Sequence, residues 1–187
     1  LEALDIFRRY GDRTREGDAL GNLGDVYREQ GKLARAVAFY TEALAIHREV
    51  GDRRGEGMAL ANLGSAFYVQ GQYERTREFY TEALAIHREV GDKRSEGSIL
   101  LNFGAVLFCE GQLERAVEIF TKALAIHREV GDRRLEGIAL GNIGDALFQL
   151  QRLDEAEVAF RQAIPISDGL FPIVASAFRG SLALLVA

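Results

Sequence analysis

The sequence has no tryptophan, one cysteine, one methionine, two prolines and three histidines in 187 residues. A lone cysteine, Cys109, excludes an internal disulfide framework and suits a reducing compartment, so a cytoplasmic setting is expected. Long apolar runs are also lacking. The most apolar stretch, Phe171 to Ala187, is short for a bilayer and is interrupted by Arg179, and no charged-then-apolar leader opens the chain. Neither membrane insertion nor export is expected. There is no excess of positive charge either: 23 Lys and Arg against 28 Asp and Glu leave a formal charge of -5. Such a field repels phosphate backbones, which argues against nucleic acid as a partner.

What is present is repetition. The chain is 48% hydrophobic, enough for a core. A shift of 40 residues brings Gly24, Gly64, Gly104 and Gly144 into register, together with Asn22, Asn62, Asn102 and Asn142. Copies of ALAIHREVGD run from Ala43 to Asp52, Ala83 to Asp92 and Ala123 to Asp132. Leu1 to Gly11 aligns with Thr41 to Gly51, so the sequence opens partway through a repeat and is expected to be a piece of something larger.

Within one period the apolar residues fall into two helical sets. Leu60, Leu63 and Phe67 form the first; Tyr73, Thr76, Tyr80, Ala83 and Leu84 form the second, after Gly71. Gly51 is suited to a left-handed C-cap and Asp52 to capping the amides of the next helix, a device repeated at Gly11-Asp12, Gly91-Asp92 and Gly131-Asp132. The turn inside each hairpin uses Gly31, Gly71 and Gly111. The fourth repeat has Gln151 there, which costs roughly 1 kcal/mol if the backbone shape is kept.

The pattern Leu60-x2-Leu63-Gly64-x2-Phe67 followed by Thr76-x3-Tyr80-x2-Ala83 resembles the tetratricopeptide repeat, and Leu20, Leu23, Gly24, Tyr27, Ala36, Tyr40 and Ala43 match it again. The 40-residue period, with GDRRGEG joining long helices, is similar to the variant in kinesin light chains, Pins-type adaptors and bacterial signalling proteins. The resemblance covers Leu1 to about Ser167. It departs at Thr76, where alanine is customary, and in lacking the usual closing proline. It implies an all-α fold, a right-handed α-solenoid of antiparallel helix pairs with a concave inner wall. The expected divisions are 1–11, the end of a preceding second helix; four repeats at 12–51, 52–91, 92–131 and 132–168; and 171–187, a partial fifth repeat or capping helix. Pro165 is expected to interrupt the last second helix.

The small residues Gly64 and Ala83 are expected where the two helices of a hairpin nest. The inner wall is expected from Asp18, Gly21, Asp25 and Arg28; Met58, Ala61, Ser65 and Tyr68; Ser98, Leu101, Ala105 and Phe108; and Ile138, Gly141, Asp145 and Phe148. Tyr68, Phe108 and Phe148 above small residues form shallow apolar pockets, or else pack between repeats. Asn22, Asn62, Asn102 and Asn142 can satisfy the backbone of an extended peptide, or bond between repeats. Arg28 is the one cation on this wall, so a carboxylate-terminated peptide is disfavoured.

His47, His87 and His127 recur at one place in successive repeats. Equivalent positions of stacked helices lie roughly 8 to 10 Å apart, too far for one zinc, so packing against the next helix near Glu56, Glu96 and Glu136 is expected and no metal. Charges such as Arg48-Glu49 and Arg53-Arg54 with Glu56 read as solvated helix ends. No phosphate loop or HExxH motif occurs, and Cys109 has no histidine beside it, so neither catalysis nor a cofactor is expected. The leading expectation is a non-catalytic scaffold holding a peptide or protein segment. The alternative is an intramolecular sensor attached to a kinase, NTPase or transcription regulator. Apolar ends of the stack also suggest end-to-end self-association.

Overall fold

The computed structural model describes residues 2–170, 179–181 and 183, and no strand occurs among them. The chain divides into two compact units, Leu1–Asp92 and Lys93–Ala187. The first holds α1 (Glu2–Tyr10), α2 (Arg13–Glu29), α3 (Leu33–Val50), α4 (Arg53–Val69) and α5 (Tyr73–Glu89). The second holds α6 (Lys93–Cys109), α7 (Leu113–Glu129), α8 (Arg133–Gln149) and α9 (Leu153–Leu170). Within each unit consecutive helices pack as pairs, α2 with α3, α4 with α5, α6 with α7 and α8 with α9. The first helices of neighbouring pairs also meet, α2 with α4 and α6 with α8.

Each helix ends where its glycine permits. Gly51 takes φ 73°, its N–H reaches Arg48 O at 3.3 Å, and the Asp52 N–H reaches His47 O at 2.9 Å, which satisfies carbonyls the helix leaves open. The Asp52 carboxylate then accepts from the Gly55 N–H at 2.9 Å, and Asp12 and Asp132 serve Arg15 and Leu135 in the same way. At the fourth hairpin the backbone shape is kept. Gln151 sits at φ 61°, with its N–H on Phe148 O at 3.0 Å, as Gly71 bonds Tyr68 O at 2.9 Å. A side chain in that region clashes with its own carbonyl, so the turn is held by its neighbours.

The expectation at Pro165 is corrected. Helix α9 runs through it to Leu170. Pro165 and Arg161, whose carbonyl loses its donor, are both exposed, so water can take up the orphaned acceptor. Of the expected capping helix only 179–181 and 183 are described, all helical, and the rest of that segment lies outside the described residues.

The hairpins close through a ring on a glycine. Tyr40, Tyr80, Phe120 and Phe160 are among the largest fully buried side chains. A Cβ built on Gly24 would lie 2.4 Å from the Tyr40 ring, and those on Gly64, Gly104 and Gly144 would lie 2.6, 2.5 and 2.6 Å from the rings of Tyr80, Phe120 and Phe160. Any side chain there displaces an aromatic ring from the core. Ala83 is fully buried, and Thr76 is accommodated because its hydroxyl returns to Gln72 O at 3.0 Å.

The charged junctions differ from the expected solvated ends. Glu16, Glu56 and Glu136 are buried, and each accepts from two arginines. Glu56 is reached by Arg48 at 2.8 Å and by Arg53 at 2.5 Å. Arg48 continues to Glu82, and Arg53 to Glu89 at 2.6 Å, so α3, α4 and α5 share one network. The carboxylates are buried because the following glycine, such as Gly57, lets the helix start press against its neighbour. Half-exposed guanidinium groups then bring charge to them from the solvent side.

Two substitutions test these assignments. Gly24→Ala is expected to destabilise by about 1–3 kcal/mol, whereas Gly21→Ala, with nothing within 4 Å, is expected to stabilise by about 0.5–1 kcal/mol, both read from denaturant midpoints. Gln151→Gly is expected to stabilise by about 1 kcal/mol; an unchanged midpoint contradicts strain at that turn.

Candidate functional site

In the first unit the wall formed by α2 and α4 is open. Asp18 and Met58 are exposed, and Gly21, Asp25, Arg28, Ala61, Ser65 and Tyr68 are half-buried. A cavity of about 300 Å³ lies between these helices, lined by Asp18, Asn22, Asp25, Met58 and Asn62, with His47 of α3 reaching it from beneath. In the second unit Ser98, Ala105, Phe108, Ile138, Asp145 and Phe148 are half-buried on the corresponding faces of α6 and α8. Leu101 and Gly141 belong to the core, with Leu101 at 5% exposure, which corrects their expected place on the wall.

One wall position is chemically coupled to the buried ring of its own hairpin. The Tyr40 hydroxyl donates to Asp25 Oδ1 at 2.7 Å, and Arg28 lies 3.8 Å from the same oxygen. Burial and the Asp25 acceptor hold the Tyr40 proton well above the usual phenol range, and the Tyr40 hydroxyl raises Arg28 further. In the next repeat Ser65 Oγ pairs with Tyr80 Oη at 3.1 Å and also donates to Ala61 O. In the third the pair becomes Ala105 and Phe120. In the fourth it is Asp145 with Phe160, a ring without a hydroxyl. Asp145 has no hydrogen-bond partner among the described residues, and burial raises its carboxyl above the ordinary aspartate range.

Asn22 and Asn102 are exposed, and Asn62 and Asn142 half-buried. Among the described residues no side chain bonds to any of these four carboxamides. Asn22 and Asn62 come together across the first-unit cavity. The Tyr68 ring tilts against Tyr73 of its own hairpin, with centroids 6.0 Å apart. Phe67 stacks on Phe79 and Tyr27 on Phe39, so these neighbours fill the hairpin interior and leave Tyr68 at the rim. A second concavity, about 430 Å³, lies between α1 and α2 and is lined by Leu4, Phe7, Ala19, Leu23 and Val26.

His47 packs on the start of the next helix, as expected, since a Cβ on Gly55 would lie 2.3 Å from its Nδ1, while the Glu56 and Glu136 carboxylates are held by arginines. Each imidazole also fills the space over a glycine of its own hairpin. A Cβ on Gly17 would lie 2.9 Å from His47, and those on Gly57 and Gly97 2.8 Å from His87 and His127. The 30-residue offset between Gly17, Gly57 and Gly97 and these histidines was the signal in the sequence. His47 is distinctive: Nδ1 lies 3.1 Å from Asp52 Oδ2, and Nε2 lies 4.0 Å from Asp18 Oδ1. Asp18, His47 and Asp52 are the one group of three possible metal donors among the described residues. One donor atom of each lies within 4.8 Å of the other two.

This is a helical-repeat protein in which, within each unit, the first helices carry a face of polar and apolar residues and pack on the second helices. Residues 1–49 and 95–168 match the tetratricopeptide repeat family, and residues 57–90 match another family of the same description. The chain belongs to the tetratricopeptide repeat family, whose members are protein–protein interaction scaffolds, and no catalytic family is indicated. No curated protein matches the sequence. Among solved structures it is similar to BtubC (BKLC) from P. vanneervenii, with a TM-score of 0.87 and 21% identity over 98% of this chain and 79% of that one. It is also similar to a Signal Transduction ATPase with Numerous Domains from Pyrococcus horikoshii, which carries a tetratricopeptide repeat sensor (TM-score 0.79, 20% identity, 95% of this chain and 27% of that one). A third is a Rap protein complexed with Competence and Sporulation Factor (TM-score 0.75, 19% identity, 92% and 48%). The chain spans less than half the length of these last two. Among the described residues no helix is long and apolar enough to cross a membrane.

The histidines yield a pH prediction. Burial lowers His87 and His127 below the ordinary imidazole value, outweighing the attraction of Asp92 and Asp132, while Arg54 and Arg94 act with burial. The unfolded chain then binds protons that the folded chain refuses. Stability is full above the unfolded value of about 6.5 and declines as pH falls from there through the lowered folded values. Denaturant midpoints should drop between pH 7 and pH 5. The double variant His87→Gln, His127→Gln should show a flatter slope over that window, whatever its absolute stability.

Proposed function

We propose that the chain holds an extended or helical segment of another protein along the walls formed by its first helices, without catalysis or cofactor. The observation that carries this reading is the cavity between α2 and α4, where Asn22 and Asn62 present carboxamides that no other side chain satisfies. A carboxamide offers both a donor and an acceptor, which is what the backbone of a guest chain lacks once it leaves water. In this reading Ser65, Asn102, Asn142 and Asp145 add polar contacts, Tyr68, Phe108 and Phe148 supply apolar ones, and Asp25 and Arg28 form a fixed polar pair at the wall. The structural likeness to a Rap protein complexed with Competence and Sporulation Factor supports a wall that accepts a partner. A second reading, a sensor within a longer regulatory protein, draws support from the sensor of the Pyrococcus ATPase and makes use of the same wall.

The test is selection of a random peptide library on the purified chain, followed by affinity measurement with the Tyr68→Ala, Phe108→Ala double variant. Both rings are half-buried, so the variant is expected to fold, as checked by circular dichroism. Selected peptides should bind it at least about tenfold more weakly, since rim aromatics contribute on the order of 1–2 kcal/mol each. Unchanged affinity contradicts the assignment of these walls.

A further inference from the structure

The first-unit cavity differs from the wall around it in the sign of what it lacks. Asp18 is 62% exposed in its side chain, and among the described residues no arginine or lysine pairs with its carboxylate. Asp25, on the next turn of α2, already holds the Tyr40 hydroxyl but keeps an open face to the cavity. Beneath them lies His47, whose side chain is only 5% exposed, whose Nδ1 has no well-formed hydrogen bond, and whose ring lines the cavity. A buried imidazole without a hydrogen-bond partner, aimed into an acidic cavity, is an open polar demand that neither the fold nor the hairpin contacts meet.

From this geometry we infer that the cavity between α2 and α4 receives a cationic nitrogen of the bound segment, a lysine or arginine side chain or a free amino terminus. Asp18 is the charge partner, the Asn22 and Asn62 carbonyl oxygens complete the set, and the His47 ring forms the floor. His47 Nδ1 lies 3.1 Å from Asp52 Oδ2 and Nε2 lies 4.0 Å from Asp18 Oδ1, so the ring stands beside the Asp18 carboxylate at the floor of the cavity. An ammonium or guanidinium placed there donates to the Asp18 carboxylate and to the Asn22 and Asn62 carbonyl oxygens. The methylene stem of such a side chain lies along Met58, which is 53% exposed, and Ala59. The site is built once: the positions equivalent to Asp18 are Met58, Ser98 and Ile138, so His87 and His127 have no such carboxylate above them. The inference rests on the proposed function, because it names the chemistry of the guest.

The test selects random nonapeptides, displayed with blocked or with free amino termini, on the whole chain and on Asp18→Asn. This substitution alters an exposed side chain and leaves every core contact in place. On the natural sequence the enriched peptides should carry lysine or arginine, or depend on a free terminus, which tells the sources apart. Replacing the enriched basic residue by norleucine should weaken binding about tenfold. On Asp18→Asn that difference should shrink to about twofold or less, while the norleucine peptide binds as before. Enrichment without basic preference, or a preference that survives Asp18→Asn, overturns the inference and leaves the groove reading standing. Enrichment that needs added zinc and vanishes with a chelator assigns a metal instead and also overturns it. If no peptide is enriched at all, the groove reading fails and takes this inference with it.

Discussion

Everything in these hairpins depends on one contact, an aromatic ring lying where a side chain would otherwise be. Tyr40 over Gly24, Tyr80 over Gly64, Phe120 over Gly104 and Phe160 over Gly144 bring paired helices closer than any β-carbon allows. Burying such a ring in close-packed surroundings contributes about 1.5–3 kcal/mol from water exclusion. The same contact fixes helix rotation. With Gly24 facing Tyr40, Asp18 and Asn22 are turned away from that ring, towards the cavity, and Asp25 stands at its edge within reach of the Tyr40 hydroxyl. The open face of α2 is thus the geometric remainder of a packing rule.

A second recurring contact ties one hairpin to the next within each unit. Arg48 of the preceding hairpin and Arg53 of the same helix reach the buried Glu56 carboxylate from the solvent side, while Gly57 beside it makes room for His87 of its own hairpin. The guanidinium groups remain half exposed, so their desolvation is small while the buried oxygens are satisfied. This is why the conspicuous run of charges between repeats, so like an ordinary solvated helix end, functions as a joint.

Much of the architecture was legible because it depends on short-range rules. The period, the Gly-Asp caps and the two helical sets within each repeat follow from local backbone preference and apolar spacing, and so does the left-handed turn that even Gln151 obeys. The open wall was legible for most of its positions, since 3.6-residue periodicity separates a helix's faces. It failed at Leu101 and Gly141, where the wall and the interface between helices differ by a fraction of a turn, less than a wheel can resolve. Pro165 was misjudged because the effect of a lost donor depends on whether water reaches the freed carbonyl. The surroundings of Glu56 were misjudged for a related reason: whether histidine or arginine meets that carboxylate is decided by side chains arriving from different helices.

By itself the sequence determined the all-helical repeat, its period and its punctuation, because each follows from residues close together along the chain. The tertiary structure alone decided that Asp25 is bound by the Tyr40 hydroxyl while Asp145 is not, and that His47 stands between Asp52 and Asp18. These outcomes turn on distances of about a hydrogen bond between helices many residues apart. Identical letters in successive repeats acquire different chemistry when one neighbour, Tyr for Phe or Asp for Met, is exchanged across the packing interface.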